Sequence, residues 1–148
     1  DDVDPYFDVF EWHPPRALSD LMGSASRDAV VGGESLTLPV NVGEAVEFLG
    51  YDLQKNRVAP GDRVSLTTLW RVCEPDSGSS GHPLGPVPED AYGHRVTVFT
   101  HILDEAHRVV AQEDRLDAPA WNWHGGDVFA QVHWIDLNAD APPGTYHV

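Results

Sequence analysis

From Val64 to Val72 the chain alternates strictly. Val64, Leu66, Thr68, Trp70 and Val72 share one parity, and Ser65, Thr67, Leu69 and Arg71 share the other. A period of two is the signature of a half-buried strand, so Trp70 is expected as a core anchor. The run before it, Ala45 to Leu53, also reads as a strand. There Val46 and Phe48 fall on one parity and Leu49, Tyr51 and Leu53 on the other, and a bulge at Gly50 reconciles them. Ala59-Pro60-Gly61-Asp62 joins the two runs. Pro at the second position and Gly at the third predict a type II turn.

Further along, Thr97, Phe99, His101 and Leu103 alternate with Val96, Val98, Thr100 and Ile102, apolar enough on both parities for a strand central to a sheet. His101 is assigned to its inner face, as a hydrogen-bonded core histidine rather than a ligand. Asp104 to His107 then turns the chain into Arg108–Asp114, a hairpin that puts His107 in a left-handed conformation. Alternation resumes through Val128, Ala130, Val132 and Trp134, and this reading turns Trp134 into the core. Pro142-Pro143-Gly144 repeats the Pro-Gly device ahead of a last strand from Thr145.

Residues 1–41 read as an irregular N-terminal extension. Pro14-Pro15 bars a helix through it, the capping signal at Ser19 or Asp20 is thin, and Leu36–Val40 fits only an edge strand. Tyr6, Phe7, Phe10 and Trp12 are too apolar for a free tail, which makes this segment the candidate contact for a protein partner. Residues 42–148 form the domain proper, interrupted by a long Pro-, Gly- and Ser-rich loop at 74–93, read as mobile and removable. Strands separated by turn signals, about seven in all and with no useful amphipathic helix, imply an all-β antiparallel β-sandwich. Immunoglobulin-like and jelly-roll topologies fit equally.

The 148 residues carry 24 acidic and 9 basic side chains, for a net charge of -15. Such a surface repels phosphate backbones and anionic lipid, so nucleic acid is not expected as a partner. No run approaches the about 18 apolar residues of a membrane span. No signal peptide is read at Asp1, which leaves a cytosolic protein or a piece cut from a larger chain. Cys73 is the only cysteine; at a strand end with no positive cluster flanking it, it reads as an inert thiol. Signatures of hydrolases, zincins, redox enzymes and nucleotide binders are missing, so no catalytic residues and no cofactor are assigned. The eight histidines lack metal-ligand spacing, and Asp114, Asp117 and Asp127 read as solvated carboxylates before a calcium site.

Ala118–Asp127 stands out, because it holds Trp121, Asn122, Trp123 and His124 on a Gly-hinged loop. Aromatic planes beside short polar groups stack on sugar rings and bond to their hydroxyls. The competing reading makes the tryptophans a plug for the end of the sandwich, which suits Trp123 better than Trp121.

Five short matches, in order, carry a resemblance. They are Leu49-Gly50-Tyr51-Asp52-Leu53; Pro60-Gly61-Asp62 with Leu66 and Trp70; Val98 to Asp104; Trp123 with Gly126-Asp127-Val128; and Pro142-Pro143-Gly144-Thr145-Tyr146. This pattern resembles the extracytoplasmic β-sandwich domain of bacterial mannosyltransferase-like integral membrane proteins, in the protein O-mannosyltransferase superfamily. It covers about two thirds of the chain. The long 74–93 loop, His107 in place of the usual Gly, and an N-terminal stretch without counterpart depart from it. The resemblance implies an extracytoplasmic, non-catalytic accessory domain of a larger membrane-anchored glycosyltransferase-like protein, near a glycan or a lipid-linked sugar.

Overall fold

The computed structural model describes residues 17–31, 34–74, 84 and 96–148. At its centre, β5 (Arg63–Val72) lies between β4 (Val46–Leu53) and β8 (Val128–Asp136), and β3 (Val40–Val42) extends the antiparallel sheet beyond β4. The type II turn forms as expected, with Gly61 at φ 82° and Asp62 N–H donating to Ala59 C=O at 3.0 Å. The bulge is also present. Register shifts between Phe48 and Gly50, so Val46, Phe48, Tyr51 and Leu53 all face the side of Val72, Trp70, Thr68 and Leu66. Only glycine fits at 50, since a Cβ there would stand 2.8 Å from Ser26 O, whose residue pairs with Tyr51 along the edge of β4.

A hairpin of β6 (Val98–Leu103) and β7 (Val109–Arg115) covers this sheet. His107 holds the expected left-handed conformation, at φ 57°. Ile102 packs with Val64, Ile135 and Leu137 at one end of the core, and Val72, Ala120 and Trp123 form a second cluster. The fold is an all-β antiparallel sandwich, framed by six strands in two sheets where about seven were expected. A separate hairpin pairs β1 (Asp28–Val31) with β2 (Glu34–Thr37). The reading of 1–41 as irregular therefore fails over its described part, where α1 (Leu18–Ser24) precedes that hairpin. The aromatic segment at Tyr6–Trp12 lies outside the described residues.

Two strand phases differ from the sequence reading. In β8 it is Gln131, His133 and Ile135 that are fully buried, while Trp134 is 48% exposed. Register explains the inversion: Val64, Leu66 and Thr68 pair with Ile135, His133 and Gln131, whereas Trp134 sits opposite Ser65 on the outer face. In β6, Thr100 and Ile102 are buried and Phe99 is 69% exposed, so His101 lies on the outer face, 3.7 Å from Asp114. Trp70 keeps its inward parity but is only half-buried, tilted against Phe48 at 4.9 Å.

Two connections differ as well. Gly144 is not among the residues with positive φ, so the second Pro-Gly sequence makes no type II turn, and the last pairing is a single bridge between His147 and Leu103. The 74–93 loop falls mostly outside the described residues, but Leu84 packs against the Val72–Trp123 cluster. No described helix is long and apolar enough to cross a membrane.

Candidate functional site

The loop between β7 and β8 is built around one tryptophan and displays another. Ala120–Asn122 form a short 3-10 turn after Pro119. Trp123 comes next, its ring stacked on Phe129 at 5.2 Å and its indole N–H donating to Ala118 C=O at 3.2 Å. The Trp123 side chain is thus part of the core and plugs the sandwich end. Trp121, two residues earlier, is 62% exposed. Asn122 and His124 are exposed beside it.

The backbone just beyond Trp123 is tightly held. Gly126, at φ 82°, donates its N–H to Val72 C=O at 2.9 Å, and Val72 N–H donates to Asp127 C=O at 2.8 Å. The Asp127 carboxylate accepts from His124 N–H at 2.8 Å. The loop is therefore fastened to β5 on one side and to the core through Trp123. Of the four residues singled out in the sequence, Trp121, Asn122 and His124 reach the surface and Trp123 does not.

The core also contains a polar chain that the sequence pattern did not reveal. Trp70 Nε1–H donates to Thr68 Oγ1 at 2.9 Å, Thr68 Oγ1 lies 3.3 Å from His133 Nε2, and His133 Nδ1 lies 3.2 Å from Glu113 Oε2. Because Glu113 accepts, the proton sits on Nδ1, and Nε2 is left to accept from the Thr68 hydroxyl. Thr100 Oγ1 is also 3.2 Å from Nδ1, and Trp134 N–H donates to Glu113 Oε2 at 3.0 Å. Burial pushes the His133 imidazole below its ordinary pKa, against the opposing pull of Glu113 and Asp117. Gln131, beside it, receives Asp117 N–H at 2.7 Å and donates to Asp117 Oδ2 at 3.1 Å.

Hydroxyl, imidazole and carboxylate stand here in the order used by nucleophilic triads. The Thr68 hydroxyl is buried in the sheet and receives the Trp70 N–H. The arrangement satisfies buried polar groups and orients side chains. Its only sequence signal was His133 between apolar neighbours.

A cleft of about 580 Å³ opens at the far end of the core, between the β4–β5 connection and the 141–148 segment. Val64, Ile102 and Leu137 form its floor, and Lys55, Asn56 and Arg57 stand on its rim. No set of three His, Cys, Asp or Glu side chains among the described residues is placed to hold a metal. Asp117 is engaged by Arg115 and Gln131, Asp127 by His124, and Asp114 lies beside His101, so these three carboxylates do not share a site. Burial and the nearby Glu47 raise the Cys73 thiol pKa, which suits a passive residue. Compared with family models, with curated proteins and with solved structures, the chain matches none.

Proposed function

We propose that this chain is a non-catalytic accessory β-sandwich that contacts carbohydrate through Trp121, and that it works outside the cytoplasm in a glycosyltransferase-like cell-envelope protein. One observation carries the reading: the loop buries Trp123 as an anchor while presenting the Trp121 indole to solvent, flanked by Asn122 and His124. An aromatic plane held on an anchored loop needs little reordering when a sugar ring stacks on it. The compartment and the parent protein rest on the sequence resemblance. Catalysis would then belong to other parts of the parent protein.

A flat platform buries little area, so affinity is expected between millimolar and tens of micromolar, or about 4–7 kcal/mol. Intrinsic tryptophan fluorescence, titrated with mannose-, galactose- and glucose-containing oligosaccharides, tests this. Saturable quenching that disappears in Trp121→Ala, with an unchanged melting temperature, is the expected result. Silence at millimolar sugar, or binding that survives Trp121→Ala, overturns the proposal.

A further inference from the structure

The cleft at the end of the core joins an apolar floor to a rim whose charge runs against that of the chain. Val64, Ile102 and Leu137 make the floor, and the volume of about 580 Å³ is that of a small-molecule site. Both sides are held in place. On one, the Asp62 carbonyl accepts Leu137 N–H at 3.0 Å and the Asp62 carboxylate accepts Ala59 N–H at 2.9 Å, which fastens the β4–β5 connection to the end of β8. On the other, the Tyr146 hydroxyl donates to Pro142 C=O, and His147 pairs with Leu103 of β6.

The chain carries 24 acidic side chains and none of them lines this cleft, whereas two of its 9 basic ones, Lys55 and Arg57, do. Elsewhere cations are neutralised internally: Arg63, Arg71, Arg108 and Arg115 are held by Asp136, Glu47, Asp104 and Asp117. Lys55 and Arg57 are exposed and have no ion pair among the described residues. In a chain so rich in carboxylates, two unpaired cations on the rim of an acid-free apolar cleft are complementary to an anion with an apolar body.

We propose that this cleft binds a small amphipathic monoanion, an unbranched aliphatic carboxylate of medium length. Its hydrocarbon lies on Val64, Ile102 and Leu137, and its carboxylate meets Lys55 and Arg57, with the Asn56 amide as a further donor on the same rim. The field of a chain at -15 penalises each added negative charge on a ligand, which selects a single carboxylate over a multiply charged head. The site is independent of the sugar-contacting loop, which lies at the other cluster of the core.

Amide chemical-shift titrations with hexanoate, octanoate and decanoate test it, with octanamide as the uncharged isostere of octanoate. The expected result is saturable shifts at residues 55–58 and at Val64, Ile102 and Leu137, with residues 121–124 unmoved. Octanoate should bind about fivefold more tightly than octanamide, the advantage of exposed ion pairs. Each pair of added methylenes should strengthen binding roughly fivefold, below the about fifteenfold of complete burial. In the double variant Lys55→Gln, Arg57→Gln, octanoate should fall to the level of octanamide while octanamide binds as before, a split that a merely structural effect would not produce. Equal affinity for octanoate and octanamide in the wild type overturns the proposal, as does a double variant that keeps full octanoate affinity. Shifts confined to other parts of the chain, or no saturable shift at about 10 mM decanoate, overturn it as well.

Discussion

His133 is bonded on both sides of its ring, with Nε2 at 3.3 Å from Thr68 Oγ1 and Nδ1 at 3.2 Å from Glu113 Oε2. The pair ties β8 to β5 within one sheet and to β7 across the core. Of the charged side chains nearby, Glu113 and Asp117 favour the imidazolium and Arg115 opposes it, yet burial prevails and keeps the ring neutral.

This burial makes stability depend on pH. The unfolded chain takes up a proton at this histidine near its ordinary value of 6.5, while the folded chain resists doing so until lower pH. The unfolded state thus binds more protons in that window, and stability rises with pH through it. The contribution is complete above about 6.5 and declines as the pH falls below it. Urea unfolding between pH 8 and pH 5 is expected to show this decline, with a shallower slope in His133→Leu. An identical slope in the variant would show that other groups govern the acid limb.

The three tryptophans of the second half should separate by cost. Trp123→Ala removes a buried ring stacked on Phe129 and is expected to destabilise by about 3–5 kcal/mol. Trp121→Ala, on the surface, is expected within about 0.5 kcal/mol of wild type. Trp134→Ala should resemble Trp121→Ala far more than Trp123→Ala, because its ring lies on the outer face. Denaturant midpoints at a common slope give the order directly, and a Trp134→Ala loss as large as that of Trp123→Ala would contradict the observed phase of β8.

Gly50→Ala is expected to cost about 1–3 kcal/mol, since the new Cβ must displace the Ser26 carbonyl that pairs with Tyr51. Exchange of the Tyr51 amide should accelerate with it. Gly23→Ala makes a useful contrast, because a Cβ there meets nothing within 4 Å.

Leu84→Ala should lower stability by about 1–2 kcal/mol, less than a fully buried leucine would, because Leu84 is half-buried against the Val72–Trp123 cluster. A Gly-Ser replacement of residues 74–93 should lose at least that much. Thermal melts of both variants check it, and an unchanged midpoint in both would restore the view of this loop as dispensable.

Legibility followed the strength of local chemistry. Pro60-Gly61, the Gly50 bulge and the His107 turn were readable, because each depends on backbone preferences of one or two residues. The faces of β6 and β8 were not, because both parities of each strand carry apolar side chains. Choosing between Trp134 and His133 for the core requires the register against β5, which is a non-local property. For the loop, the sequence proposed a division between Trp121 and Trp123, and the structure separates their exposures. It offered no hint of the cleft, which arises from how the β4–β5 connection and the 141–148 segment meet over the end of the core.

The inverted phase of β8 has a consequence for folding. Sliding β8 by one residue would bring Val128, Ala130, Val132 and Trp134 to the inner face in place of Phe129, Gln131, His133 and Ile135, exchanging a set with two polar members for one with none. Collapse driven by hydrophobicity alone therefore has a competing misregistered state one step away, and it is attractive early, before specific bonds form. The native alternative prevails through directional bonds, because only its register aligns His133 with Thr68 and Glu113, and Gln131 with Asp117. Cutting those bonds should leave a chain that still collapses but no longer chooses a single strand alignment.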